Sequence, residues 1–180
     1  DVILWGTKVG SVVMPPGDPI ARFQYSPEIL DLGIELSPLK MPLNAMSYRF
    51  PELPIVSFKG LPGLLSDSLP DKFGNKVISA WLQAEKRSAD DLNSLDRLAY
   101  TGTRGMGALE YRPSLLSEAN EAERVEVDEL SRLADDVLKS REAARAELKE
   151  GMNRYSSILK VGSSAGGARA KALIGWNEAT

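Results

Sequence analysis

The prolines between residues 26 and 64 constrain this chain most. Pro27, Pro38, Pro42, Pro51, Pro54 and Pro62 follow one another at short intervals. Each fixes φ and removes a backbone donor, so neither a long helix nor a central strand can run through this stretch. Regular structure must come from the flanks. Within the stretch only short strands are expected, at Ile34–Leu36 and Val56–Lys59.

The N-terminal flank reads as β structure. Val2–Trp5 and Val9–Met14 are apolar, β-branched runs separated by Gly6-Thr7-Lys8, which suits a tight hairpin. Pro15-Pro16-Gly17-Asp18-Pro19 is a turn, and Ile20–Tyr25 alternates between two faces, as a half-buried third strand does. The other flank is helical. Ser68, Pro70 and Asp71 resemble a helix start, with Phe73, Val77, Ile78, Trp81 and Leu82 on one face. Ser88 with Asp91 repeats the start signal, Leu92, Leu95 and Leu98 form the stripe, and Gly102 can end the helix. Gly107–Arg112 reads as a returning strand. The fold class expected is α+β, a small antiparallel sheet with packed helices.

Beyond residue 113 the chain changes character. Leu116–Arg124 is polar and acidic, a linker by composition. From Asp128 apolar residues recur at Leu130, Leu133, Ala134, Val137 and Leu138, and the charged run Arg141–Glu150 extends this helix as a wet face until Gly151. Ser156–Val161 and Ala170–Trp176 read as strands around a small-residue loop. The organisation expected is residues 1–113, a linker and connecting helix at 114–151, and a third segment at 152–180.

Composition excludes several chemistries. The chain has neither Cys nor His, which removes Cys nucleophiles, Ser-His and Cys-His triads, and thiolate or imidazole zinc sites. It also removes disulfides, in keeping with a cytoplasmic location. The net charge of −3 is made of interspersed signs, so no basic face for direct DNA binding is expected. No apolar run approaches the length of a membrane span. Asp1–Gly6 lacks the basic start of a signal peptide, and without an initiator Met the chain is expected to have been trimmed or processed.

Among candidate site residues the loop Gly162–Lys171 stands out. Its small residues allow close backbone approach and an anion-binding nest, Ser163 and Ser164 add donors, and Arg169 and Lys171 add positive charge. It fits neither a Walker A loop, since Ala168-Arg169 follows Gly167, nor Gly-x-Gly-x-x-Gly. By spacing alone, a phosphate-binding loop and a flexible hairpin turn both remain open. Asp67, Asp71 and Lys72 could form an acid/base cluster, but helix-start and loop roles fit them better. Trp81 is expected in the core. Arg104 is a turn arginine, either solvated or in contact with a ligand or partner.

Three segments together resemble one family. Gly60–Asn75 (GLPGLLSDSLPDKFGN) looks like the long signature of HipA-like proteins. Leu95–Tyr100 (LDRLAY) with Gly105–Tyr111 (GMGALEY) resembles the segment that follows it. Ser164–Leu173 (SAGGARAKAL) resembles the family's glycine-rich loop, with Ala170 where Pro is common. Their order and spacing agree, over about residues 4–176.

The resemblance implies a serine/threonine kinase toxin of a type II toxin–antitoxin module, associated with persistence. It implies that an N-terminal subdomain is followed by the start of a protein-kinase-like N-lobe, here residues 152–180. Carried over by position, Ser164, Ala165, Gly166, Gly167, Ala168, Arg169 and Lys171 would contact ATP, and Ser164 or the neighbouring Ser163 would be autophosphorylated. ATP and Mg²⁺ are the implied cofactors. The implied partners are a helix-turn-helix antitoxin of the HipB type and a protein substrate, of which an aminoacyl-tRNA synthetase is the best-known class. DNA would be reached only through the antitoxin, and no membrane is involved. The resemblance places the main ATP lysine, the catalytic Asp and the metal-binding Asp after Thr180. No catalytic residue and no tightly bound cofactor are therefore expected within these 180 residues. A second reading makes the segment a non-catalytic module that docks the antitoxin or another subunit.

Overall fold

The computed structural model describes residues 1–84, 86–88, 92–115, 128, 131–132 and 134–135. The chain divides into two compact units. Asp1–Leu69 with Asn93–Leu115 form the first, and Pro70–Leu92 with Leu116–Thr180 the second.

The first unit is built on a five-stranded sheet. Strands β1 (Val2–Leu4), β2 (Thr7–Val13), β3 (Arg22–Tyr25), β4 (Ser47–Tyr48) and β5 (Leu109–Tyr111) lie in the order β4-β3-β2-β1-β5, every neighbour antiparallel. The fold is α+β, as the pattern predicts. The first hairpin turns on Trp5-Gly6, one residue earlier than the sequence suggests, with φ of 49° and 80°. Two successive positive φ values define the type I′ turn, whose twist matches that of the strands. Between β2 and β3, Asp18 N–H donates to Pro15 O at 3.0 Å, and Gly17 at φ 76° makes this a type II turn with Pro16 before it.

Register places Val2, Leu4, Phe23, Tyr25, Leu109 and Tyr111 on one face of the sheet, and all six are buried. The other face carries Lys8, Ser11, Arg22, Gln24 and Glu110. Ile29, Met41, Leu61, Leu65 and Leu98 join the core from outside the sheet. A fully buried side chain of this size contributes about 1.5–3 kcal/mol, so the elements that supply them are held by packing more than by their own length.

The proline-rich stretch supplies such short elements. Helix α1 (Pro27–Leu32) starts at Ser26, whose hydroxyl accepts from Ile29 N–H, has Pro27 in its first turn, and ends at Gly33 in the left-handed conformation. No strand forms at Ile34–Leu36, and Val56 belongs to a helical turn, α2 (Ile55–Phe58). Pro54 explains this: its carbonyl accepts from Ser57 and Phe58 N–H, starting a helical turn that Lys59 closes at φ 53°. The fourth strand instead forms at Ser47–Tyr48. There Tyr48 packs edge-on to Tyr25 and stacks on Phe50, while Tyr25 Oη donates to Met41 O at 2.8 Å. Helix α3 (Gly63–Ser66) follows Pro62 in the same way.

Helix α5 (Ser94–Thr101) begins at Asn93, not at Ser88. Asn93 Oδ1 accepts from Asp96 N–H at 3.0 Å, and the Asp96 carboxylate accepts from Asn93 N–H at 2.9 Å, a reciprocal capping box. Gly102 ends it, and β5 returns within the expected Gly107–Arg112 to pair with β1.

In the second unit, helix α4 (Lys72–Ala84) starts at Asp71 instead of Ser68: Asp71 Oδ1 accepts from Gly74 N–H at 2.7 Å. Phe73, Val77, Ile78 and Leu82 are buried, as their spacing predicts. Phe73 and Val77 pack with Ala134, one of the helical residues among 128–135. Trp81, expected in the core, is only half-buried. No helix among the described residues is long and apolar enough to cross a membrane.

Candidate functional site

Ser164, Ala165, Gly166, Gly167, Ala168, Arg169 and Lys171, expected from sequence to contact nucleotide, and Ser163, expected with Ser164 as an autophosphorylation site, lie outside the described residues. The candidate surface within the first unit comes from the other two signature segments.

The segment Gly60–Leu69 enters the core through Leu61 and Leu65, with Pro62 and Gly63 setting the turn of α3 between them. Asp67 is the residue that closes α3. Its N–H donates to Gly63 O and Leu65 O, and its side chain is exposed. Thr101 Oγ1 donates to Arg97 O at 3.2 Å within α5 and lies 3.5 Å from Ser68 O of this segment. Tyr111 is 3% exposed on β5. Ser68 lies near its hydroxyl without closing a well-formed hydrogen bond, and burial pushes the Tyr111 pKa up to about 12. This phenol is therefore neutral at physiological pH and no general base.

The second segment forms the loop between α5 and β5. Gly102 N–H donates to Leu98 O at 2.9 Å, Tyr111 N–H to Gly102 O at 3.0 Å, and Leu115 N–H to Ala99 O at 3.0 Å. This bracing holds the loop against the helix end. Within it Arg104 N–H donates to Thr101 O at 2.9 Å, and Arg104 Nη2 donates to Tyr100 O at 3.0 Å. Arg104 is half-buried, and this desolvation lowers its pKa from the usual arginine value.

The second unit accounts for the rest of the first signature by helix-start chemistry. Asp71 caps α4. Asn75 Nδ2 donates back to Pro70 O at 2.7 Å and to Asp71 O at 2.9 Å, and Lys72 is exposed at the helix start. Asp71 Oδ1 thus holds the helix N-terminus, a structural role. No group of His, Cys, Asp or Glu suited to a metal ion occurs among the described residues.

A shallow cavity of about 270 Å³ is lined by Lys8, Ser11, Gln24, Tyr25, Ser26, Pro27 and Glu28. Its charged groups are engaged locally. Lys8 Nζ lies 2.9 Å from the Asp1 carboxylate, and the Glu28 carboxyl is held below its usual pKa by its own backbone N–H and by Ser26. Sequence reasoning passed over Trp5 as part of a strand. The structure puts it at the hairpin tip, 79% exposed and at positive φ, where a bulky residue is rare. The dipeptide Trp5-Gly6 carries the signal, since glycine favours a hairpin turn there.

A family model described as the HipA N-terminal domain matches residues 1–112. No match was found among curated proteins or among solved structures.

Proposed function

Because the chain belongs to the HipA N-terminal-domain family, we propose that it is the N-terminal part of a HipA-like toxin, an ATP-dependent serine/threonine protein kinase of a type II toxin–antitoxin system. The family match over residues 1–112, more than half of the chain, carries this reading. The motif resemblance at Ser164–Leu173 supports it at the other end of the sequence.

In this reading the two ends divide the work. The first unit is a rigid support whose signature residues serve packing and capping. The segment Ser163–Lys171 contributes backbone amides, hydroxyls and the cations Arg169 and Lys171 to the phosphates of Mg²⁺-ATP. Phosphoryl transfer rests on positioned charge and metal, so the reaction needs catalytic groups besides those of this segment. Phosphate on Ser164 would add negative charge beside Arg169 and move the loop away from the nucleotide, switching the kinase off. The protein partner is a helix-turn-helix antitoxin that brings DNA indirectly, the substrate class includes an aminoacyl-tRNA synthetase, and the setting is the cytoplasm.

Mass spectrometry of the full-length protein after incubation with Mg²⁺-ATP tests this. Phosphate is expected on Ser164 or Ser163 and absent from the S163A/S164A double variant. No phosphorylation, together with no ATP binding by calorimetry, would overturn the kinase reading.

One observation favours the alternative of a non-catalytic docking module. Leu39, Val56 and Trp5 are 92%, 83% and 79% exposed on the first unit, and large apolar side chains at a surface suit a protein interface. Antitoxin binding by a full-length protein that neither binds ATP nor becomes phosphorylated would select this reading.

A further inference from the structure

The loop between α5 and β5 holds a half-buried cation, Arg104, with no counter-charge among the described residues. Arg104 forms no salt bridge with an acidic residue among the described residues. Its guanidinium makes one hydrogen bond, to Tyr100 O at 3.0 Å, which leaves most of its five donors for another group. Partial burial of a charge without an acidic partner is unfavourable, and an anion that reaches it recovers part of that cost.

The surroundings narrow the class of anion. Met106, two residues along the same loop, is 51% exposed, and Trp5 is 79% exposed at the tip of the first hairpin. The two lie at the same end of the sheet, because Leu4, which precedes Trp5, pairs with Leu109, into which the loop runs. A small inorganic anion would use the guanidinium and leave these apolar surfaces in water. A carboxylate carried on a polypeptide with apolar neighbours uses both.

We propose that Arg104 anchors a docking site for an acidic side chain of a protein partner, with Trp5 and Met106 taking the apolar residues beside it. The guanidinium fork receives the carboxylate in a charge-assisted, planar pair. Lys at this position keeps the charge but loses the fork. The site depends neither on ATP nor on the kinase reading.

The test uses the ¹⁵N-labelled 180-residue chain and the peptide acetyl-Leu-Glu-Leu-amide, with acetyl-Leu-Gln-Leu-amide and inorganic phosphate as controls. The Glu peptide should shift the Arg104 Nε–Hε and Trp5 indole N–H resonances together. R104Q should weaken binding about tenfold, the worth of one charge-assisted hydrogen bond, and R104K by less. Phosphate should move the Arg104 signal alone. Equal binding of the Gln and Glu peptides would overturn the proposal, as would undiminished binding by an R104Q variant whose spectrum shows an intact fold. Phosphate binding more tightly than the Glu peptide would do the same. Should R104Q not fold, R104K decides: affinity equal to wild type would refute the planar pair.

Discussion

Gly60→Ala tests the packing of the first signature segment directly. A Cβ at residue 60 would lie 1.9 Å from Pro19 O, and real Cβ atoms essentially never approach closer than 3.0 Å. The obstacle is a backbone carbonyl, so no side chain can swing away, and the two segments must part by more than an ångström. That movement pulls on the next contact, Ala21 N–H to Gly60 O at 2.8 Å, which joins this segment to the start of β3. The backbone adds a second penalty, because Gly60 sits at φ 77°. Left-handed conformation costs an L residue about 1–2 kcal/mol. Forced overpacking costs about 1–3 kcal/mol. A weakened hydrogen bond adds about 0.5–1.5 kcal/mol. Together the loss is about 2.5–6.5 kcal/mol, a large share of the ~5–15 kcal/mol that holds an ordinary domain.

Gly17→Ala is the matched control. Gly17 has φ 76°, but nothing lies within 4 Å of its would-be Cβ. It should lose only the conformational part, about 1–2 kcal/mol. Urea denaturation followed by far-UV circular dichroism gives both values, and hydrogen exchange at the sheet amides assigns the loss to the first unit. If G60A falls within about 1 kcal/mol of G17A, the close approach does not govern this site and the packing argument fails.

Two further outcomes follow from the structure. Asp71→Ala removes the acceptor for Gly74 N–H and should destabilise α4 by about 1 kcal/mol, with Asp71→Asn retaining most of the cap; faster hydrogen exchange confined to the first turn of α4 is the measurement, and unchanged exchange would contradict the capping role. Burial pushes the phenols of Tyr25 and Tyr111 up to about 12 from 10.0. Because the folded pKa is raised, the associated stability is intact below pH 10 and is lost as pH rises through 12. Ultraviolet titration should show a late phenolate component that Y25F and Y111F each diminish, and full ionisation of all tyrosines near pH 10 in the folded protein would refute the burial argument.

Much of the first unit was legible from residue types. Alternation in Ile20–Tyr25 sends Phe23 and Tyr25 to the core and Arg22 and Gln24 to water, since a strand turns its side chains over at every residue. The spacing of Phe73, Val77, Ile78 and Leu82 marks the buried face of α4 for the corresponding helical reason. Helix starts were harder. Ser68 and Ser88 have the right chemistry, but Asp71 and Asn93 are the residues whose carboxylate and amide oxygens meet the helix amides. Several side chains qualify as caps, and the placement of the backbone chooses among them.

The sequence by itself determined where chain direction must break, which faces are apolar, and which chemistries are impossible without Cys or His. Only the tertiary structure decided the pairings. Val2 meets Tyr111 across more than a hundred residues, and Ser47–Tyr48 becomes a strand because the edge of β3 offers it partners. Periodicity specifies a face and carries no address for the segment that covers it. The state of Arg104 was decided the same way. A loop arginine reads as solvated until the fold half-buries it with no acid beside it among the described residues. Burial and charge pairing are properties of three-dimensional neighbours, and no local pattern encodes them.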